Sequence, residues 1–192
     1  MTRKKAAFFD RDGVINVNHG YVHNIDDFEF MDGVIELMLY VQSLGYEVIV
    51  VTNQSGIARG MYTQDDFEQL NQWMCAQLLE RGVIITDTYY CPHHPTAGNS
   101  CFTQECTCRK PNSGMLLRAA EDYGYDLSQS ILIGDNQSDM QCAINAQLRA
   151  GYWLFDLAAQ ADNGTALAQL STQAKNTQLF HINKLRECLH LI

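Results

Sequence analysis

The sequence is short of basic residues, and this shortage limits the partners that the protein can have. It contains 13 Lys and Arg against 22 Asp and Glu, which gives a formal net charge of −9. A protein that binds nucleic acid needs a basic surface to displace the counterions of the phosphates. The acidic balance therefore argues against nucleic acid as a partner.

Long apolar runs are also missing, and no segment approaches the length of a membrane span. The basic amino terminus is followed by only four small or apolar residues, 6–9, before Asp10. This run is shorter than the apolar core of a signal peptide. We therefore expect a cytoplasmic protein without a membrane partner. We also expect it to be a monomer. In that reducing compartment, the seven cysteines bind metal or are buried rather than forming disulfides.

Only three prolines interrupt the chain, all between residues 92 and 111, and it has no internal repeat or low-complexity tract. The hydrophobic content of 46% is ordinary for a globular domain, and 192 residues can build a sizeable core. We expect one domain over residues 1–192. A loop insertion is expected at about residues 91–110, which hold four of the cysteines.

Short apolar runs alternate with segments of helical periodicity along the chain. Strands are predicted at 6–9, 47–51, 86–91, 130–134 and 151–155. Helices are predicted at about 34–44, 63–82, 113–124 and 138–146. For the tail, 165–192, we expect a helix, a short edge strand near 179–182 and a closing helix. This alternation predicts an α/β fold with a doubly wound parallel sheet.

Polar side chains follow several of the predicted strands at the point where each ends. Asp10 and Asp12 follow the first strand, Thr52 and Asn53 the second, and Asp135 the fourth. Open α/β sheets bind ligands beyond the carboxyl ends of their strands. In an extended segment residues i and i+2 share a face, so Asp10 and Asp12 should meet over one pocket while Arg11 turns away.

Each of these motifs has a simpler interpretation when taken alone. An Asp-x-Asp-Gly sequence is common in turns and in calcium loops, and the segment after the second strand could only cap a helix. Lys110, which precedes a proline, could be solvated, and Asp135 and Asp139 could cap and begin a helix. Their joint order at successive strand ends favours the catalytic interpretation.

The loop after the third predicted strand is rich in metal-binding residues. Cys91 and His93, followed by Cys106 and Cys108, would give one tetrahedral site of the closed structural type. The single-residue spacing is less usual than Cys-x-x-Cys, so the alternative of reduced, partly buried thiols with solvated histidines stays open. Neither His94 nor Cys101 is needed for the four-ligand set.

Together these motifs resemble the haloacid dehalogenase (HAD) superfamily of phosphohydrolases. Within it, the chain is similar to the D-glycero-D-manno-heptose 1,7-bisphosphate 7-phosphatase family. The matching stretches are DRDGVINVNHGYVHNIDDFEF, VVTNQSGIARG, YYCPHHP and CTCRKP, and the similarity extends over about residues 6–140. The resemblance implies a HAD-like Rossmannoid sheet with no large cap domain and a zinc-stabilised loop insertion in its place.

The resemblance also assigns catalytic and metal-binding roles. Asp10 is the expected nucleophile, Asp12 the general acid and base, and Thr52 and Lys110 hold the transferring phosphoryl group. The expected magnesium ligands are the Asp10 carboxylate, the Asp12 main-chain carbonyl and Asp135, with Asp139 orienting them. The expected zinc ligands are Cys91, His93, Cys106 and Cys108.

The substrate implied by the resemblance is the heptose 1,7-bisphosphate of lipopolysaccharide precursor synthesis, which loses its C7 phosphate. Arg109 is expected at the distal phosphate. The full set of expected substrate contacts is Asn18, His19, Gly20, Tyr21, Thr52, Asn53, Gln54, Ser55, Arg109 and Lys110. Asn136 departs from the family, which commonly carries Lys there, and this removes a cation from the pocket.

Three other functions remain open at this point. A histidinol-phosphate phosphatase would share the catalytic motifs and the zinc loop. A polynucleotide 3′-phosphatase is disfavoured by the acidic charge. A zinc-stabilised binding protein without turnover is disfavoured by the intact Asp10 and Asp12, because such a protein has no use for a nucleophile.

Overall fold

Six parallel strands form one sheet in the computed structural model, which describes residues 3–98, 101–156, 158 and 160–192. The strand order is β3-β2-β1-β4-β5-β6. The strands are β1 (Lys5–Phe9), β2 (Tyr46–Asn53), β3 (Ile85–Cys91), β4 (Ile131–Gly134), β5 (Ala150–Leu154) and β6 (Gln178–Ile182). From β1 to β3 the chain adds strands toward one edge of the sheet, and from β4 to β6 it adds them toward the other edge. Open sheets bind their ligands at the point between β1 and β4 where this progression reverses.

Helices connect the successive strands. They are α1 (Val34–Ser43), α2 (Ser55–Ala58), α3 (Gln64–Leu79), α4 (Gly114–Tyr123), α5 (Gln137–Asn145) and α6 (Ala161–Gln173). Short 3₁₀ helices occur at Ile25–Asp27, Leu127–Gln129 and Leu185–His190. None of the helices in the described ranges combines the length and the apolar character that a membrane crossing requires.

Alternate residues of β1 contribute to two cores, one on each face of the sheet. Ala7 and Phe9 of β1 face the core that contains apolar residues of α1 and α3. Ala6 and Phe8 face the second core, which contains residues of α4 and α5. All four side chains are fully buried. Because side chains of a strand alternate between faces, a strand covered by helices on both sides reads as a continuous apolar run.

The structure confirms the doubly wound parallel sheet, including the edge strand predicted near 179–182. The closing helix forms as the 3₁₀ helix Leu185–His190, and the four-residue α2 lies where no helix was expected. In the described part of the chain, no separate cap domain covers the strand ends. The insertion there is the cysteine-rich loop between β3 and α4.

Candidate active site and metal centre

A pocket of about 350 Å³ opens where β1, β2 and β4 end. The strand order makes these three strands neighbours, so the polar residues that follow them converge. The pocket is lined by Asp10, Asp12, Asn18, Gly20, Tyr21, Thr52, Asn53, Gln54, Ser55, Tyr62, Arg109, Lys110, Asn136 and Ser138. The sequence therefore predicted most of the residues that line the pocket.

Lys110 holds the floor of the pocket together. Its ammonium lies 2.8 Å from Asp10 Oδ1 and 2.7 Å from Asp139 Oδ1, and it donates to the Val51 carbonyl at 2.9 Å. Burial by itself lowers the pKa of Lys110, but the charges of Asp10 and Asp139 outweigh that effect and raise it above its usual value. The lysine is therefore a permanent cation at the end of β2.

The carboxylates outnumber this cation. Three carboxylate oxygens lie within 4.8 Å of one another, one each from Asp10, Asp135 and Asp139. Burial raises the pKa of Asp10, Lys110 lowers it, and Asp139 and Asp135 raise it, with a net value of about 8. Burial, followed by the charge of Asp139, raises the pKa of Asp135 to about 6.

These carboxylates fit a divalent cation. When all three carboxylates are ionised, the single ammonium leaves two negative charges for a divalent cation to compensate, and hard oxygen ligands are those that magnesium prefers. Gly13 keeps this space open, because a Cβ built on it would lie 2.1 Å from Asp135 Oδ2. Its φ of +91° is also a conformation that glycine adopts readily.

Asp12 is held by Arg11, contrary to the expectation that Arg11 turns away. The guanidinium is 1% exposed and bends back along its own chain. Its Nη2 donates to both Asp12 oxygens at 2.9 Å and to the Val22 carbonyl at 2.6 Å. The alternation of an extended segment fixes the direction of Cβ, but a long side chain can still return to the opposite face.

Thr52 and Gln54 connect the end of β2 to Asp12. The amide Nε2 of Gln54 donates to Thr52 Oγ1 at 2.8 Å and to Asp12 Oδ2 at 3.1 Å. Asn53 pairs instead with the main chain of Lys110, donating to its carbonyl at 3.1 Å and accepting from its N–H at 3.0 Å. The end of β2 thus positions both the Asp12 carboxylate and Lys110.

The cysteine loop places its four predicted ligands together. The sulfurs of Cys91, Cys106 and Cys108 lie 3.2–3.6 Å apart, and His93 Nδ1 lies 3.4 Å from Cys108 Sγ. A zinc ion with Zn–S bonds of about 2.3 Å separates its sulfurs by about 3.8 Å, whereas a disulfide needs about 2.05 Å. The quartet therefore fits a tetrahedral zinc ion, and the cysteines are free thiols.

Contacts of this loop reach the pocket. Arg109 follows Cys108 directly, and its Nη1 donates to the carbonyl of His93 at 3.3 Å. Gly98 packs against α2 so closely that a Cβ would lie 1.8 Å from the Ala58 carbonyl oxygen. Outside the quartet, His94 approaches Arg59 and accepts from main-chain N–H groups of its own loop, and Cys101 is exposed.

One predicted substrate residue lies outside the pocket lining. His19 is exposed, and its Nε2 is 4.0 Å from Glu29 Oε2, whereas its neighbours Asn18, Gly20 and Tyr21 line the pocket. Its role as a substrate contact stays a prediction.

Sequence reasoning missed Tyr62 and Ser138, which also line the pocket, and it named Asn136, which lines the pocket too, only as a departure from the family. The glycines at positions 13 and 56 were the sequence signals that were available for close packing at the site. At Gly56, for example, a Cβ would lie 2.1 Å from the Tyr62 ring.

Comparison with known proteins identifies the relatives of this chain. A HAD-hydrolase-like family model matches residues 107–152. The D-glycero-beta-D-manno-heptose-1,7-bisphosphate 7-phosphatases of Photorhabdus laumondii and Escherichia coli K12 are each 51% identical over 143 residues. Those residues are 74% of this chain and 76% and 75% of the two relatives.

A solved structure extends the similarity to the fold. The D,D-heptose 1,7-bisphosphate phosphatase of B. bronchiseptica, determined with magnesium and phosphate, superimposes with a TM-score of 0.76 at 27% identity, covering 97% of both chains. The chain therefore belongs to the D-glycero-D-manno-heptose 1,7-bisphosphate 7-phosphatase family of the HAD superfamily.

Proposed function

We propose that this protein removes the C7 phosphate of D-glycero-β-D-manno-heptose 1,7-bisphosphate through an aspartyl-phosphate on Asp10. The observation that carries the proposal is the pairing of Asp10 with Lys110 beside Asp12 in one pocket, in a chain 51% identical to enzymes named for this reaction. The names of these relatives favour the heptose over histidinol phosphate, and they specify the β anomer.

Asp10 is arranged for attack on phosphorus. Lys110 Nζ and the Arg11 main-chain N–H, each at 2.8 Å, both bind its Oδ1. Among the described residues no donor binds Oδ2, so this oxygen keeps its lone pairs for phosphorus. In the first step the Asp10 O–P bond forms, the bond from phosphorus to the C7 oxygen breaks, and Asp12 gives its proton to that oxygen.

The second step restores Asp10 as a carboxylate and Asp12 as a protonated acid. Water attacks the phosphorus of the aspartyl-phosphate, Asp12 takes a proton from this water, and the Asp10 O–P bond breaks to release inorganic phosphate. Arg11 and Gln54 hold Asp12 in the same place for both steps. One residue can therefore act first as acid and then as base.

The cations around the phosphoryl group reduce its repulsion from Asp10. Asp10, Asp135 and the Asp12 carbonyl would hold magnesium, which supplies positive charge to the phosphoryl oxygens when bound. Lys110 and the Thr52 hydroxyl contribute to the same stabilisation from the end of β2. Arg109, at the pocket wall, suits the distal phosphate of a bisphosphate.

The zinc quartet has a structural role in this proposal. It fixes the loop that carries Arg109 and Lys110, and its four ligands leave no open position for substrate. We further propose one domain over residues 1–192, which the single sheet from β1 to β6 supports. A monomer in the cytoplasm, acting on a small phosphorylated sugar without nucleic acid or membrane, also stays our prediction.

A substrate comparison tests the proposal. Phosphate release should be much faster from heptose 1,7-bisphosphate than from histidinol phosphate under equal conditions, and ³¹P NMR should show the C1 phosphate retained. The Asp10→Asn variant, checked for folding by circular dichroism, should release none. Faster release from histidinol phosphate, or loss of the C1 phosphate instead, would contradict the proposed substrate.

A further inference from the structure

A hydrogen-bonded chain runs from Tyr62 to the catalytic groups. The Tyr62 hydroxyl donates to Gln54 Oε1 at 2.5 Å, and the other end of this amide donates to Thr52 Oγ1 and Asp12 Oδ2. Gln54 is 1% exposed and Tyr62 is 6% exposed. The chain is thus almost wholly enclosed by protein.

The direction of each hydrogen bond follows from the chemistry of the groups. In the ionised form that acts as the base of the second step, the Asp12 carboxylate only accepts, so the Gln54 amide turns its nitrogen toward Asp12 and its oxygen toward Tyr62. The two hydrogens of Nε2 are then used by Asp12 and Thr52. The Tyr62 hydroxyl binds the amide oxygen and so holds the other end of the amide in place.

This orientation has a consequence for Thr52. Because the Thr52 oxygen accepts from Gln54, its own single proton is left for another acceptor. Thr52 lines the pocket, so the acceptor available to it there is an oxygen of the transferring phosphoryl group. A Gln54 amide turned the other way would present its oxygen to Thr52 and compete for that proton.

Tyr62 is fixed from several sides. Its ring stacks on His23 with centroids 5.1 Å apart, and it packs with Ile57 and Phe67. On another side the ring packs against Gly56, where the Cβ of any other residue would overlap it. Burial raises the pKa of Tyr62 to about 12, so the hydroxyl remains a donor across the physiological range.

We propose that Tyr62 is a positioning residue for phosphoryl transfer, acting through the Gln54 amide on both Thr52 and Asp12. The proposal rests on the proposed phosphatase function, and it gives Gln54 a different role from the substrate contact that the family resemblance implied. The amide nitrogen of Gln54 donates to Asp12 and Thr52 and its oxygen accepts from Tyr62, so the side chain aligns the two catalytic residues rather than holding the sugar.

The test compares Tyr62→Phe with Tyr90→Phe, using the full-length zinc- and magnesium-loaded enzyme. Tyr90 packs against the same cluster as Tyr62, but its hydroxyl bonds Gln64 and Glu68 outside the pocket. With heptose 1,7-bisphosphate, Tyr62→Phe should lower kcat roughly 10- to 100-fold with KM within about 2-fold, because misaligned catalytic groups slow chemistry without weakening binding. Tyr90→Phe should match the parent.

A second variant, at Gln54, distinguishes positioning from substrate contact. It also keeps the proposal testable if Tyr62→Phe folds poorly. Gln54→Leu removes the amide at similar volume and should lower kcat at nearly constant KM. The double variant should be no slower than Gln54→Leu alone, because the two residues act as one unit.

A parental kcat for Tyr62→Phe, an increase in KM with unchanged kcat for either variant, or additive losses in the double variant would overturn the proposal. These outcomes would leave the proposed function intact as long as the parent and Tyr90→Phe still release the C7 phosphate. Failure of the parent to do so would instead refute the function on which this inference rests.

Discussion

Lys110 Nζ lies 2.8 Å from Asp10 Oδ1, and this contact joins the cysteine loop to the end of β1. Lys110 is 3% exposed and comes two residues after Cys108, the last of the proposed zinc ligands. In the proposed function the nucleophile Asp10 thus depends on a cation whose backbone is placed by the cysteine-rich loop. The predictions below test the parts of this arrangement separately.

Replacing Lys110 by Met should abolish most activity. The change removes the only ammonium beside Asp10 and Asp139 in the described structure, and loss of one electrostatic donor at a reacting centre costs roughly 10²- to 10³-fold in kcat. It should also destabilise the fold by about 3–5 kcal/mol, because buried charges lose their partner. Steady-state kinetics and urea unfolding measure both effects, with the exposed Lys175→Met as control. Near-parental kcat in Lys110→Met would contradict the role given to this cation.

Gly13→Ala should abolish magnesium binding and activity together. A Cβ there would overlap Asp135 Oδ2, so the carboxylate must leave its place. Gly45 is a matched control, because it has a similar φ of +80° and no atom within 4 Å of a built Cβ. Gly45→Ala should lower the free energy of unfolding by only about 1–2 kcal/mol, which is the strain of a left-handed residue. Its activity should stay at the parental level. Calorimetric titration with magnesium and unfolding curves compare the two variants. Equal magnesium binding and equal stability in Gly13→Ala and Gly45→Ala would refute the steric argument.

The stabilisation by magnesium should grow with pH. Asp10 has an ordinary pKa of 3.8 and a value of about 8 in the metal-free fold. The folded state therefore binds the proton more tightly than the unfolded chain, and metal-free stability falls as pH rises from about 4 to about 8. Magnesium replaces that proton, so its effect on Tm should increase up to about pH 8 and then level off.

Thermal unfolding with and without magnesium between pH 5.5 and 8.5 measures this trend. Asp135→Asn should remove most of the magnesium effect at every pH. A magnesium effect that is independent of pH in the parent would show that Asp10 does not exchange its proton for the metal.

Loss of zinc should lower turnover even when magnesium is restored. Arg109 and Lys110 follow Cys108, and Arg109 also bonds the carbonyl of the ligand His93. Cys108→Ser should bind less zinc and lose roughly 10-fold or more of kcat/KM, since a 1 Å displacement can cost up to about 10²-fold. Cys101→Ser, which changes an exposed thiol outside the quartet, should keep one zinc per chain and full activity. Full turnover of the zinc-free enzyme in magnesium would contradict the loop's role.

The sequence predicted the elements and strand ends well because their signals are local. The apolar run before Asp10 and the polar residues after β2 and β4 identify both the strands and the edge at which they meet. The four members of the proposed zinc quartet lie within eighteen residues, so the sequence indicated the cluster, although its spacing left zinc binding open and the family resemblance assigned the ligands.

Contacts that depend on side-chain rotamers or on tertiary packing were not predictable in this way. The return of Arg11 to Asp12 depends on rotamers of a long side chain, and no periodicity encodes it. Tyr62 reaches the pocket because α2 turns the chain back and Gly56 leaves room for the ring. Such positions follow from tertiary packing, which a pattern of residue types does not specify.

Rapid acid quench of the enzyme with heptose 1,7-bisphosphate carrying ³²P in its C7 phosphate tests the central claim most directly. Peptide mapping should find a transient, hydroxylamine-sensitive label on the peptide that contains Asp10, and none in Asp10→Asn. Phosphate release in a single turnover without any labelled intermediate, a label on a different residue, or release by Asp10→Asn at the parental rate would contradict the account.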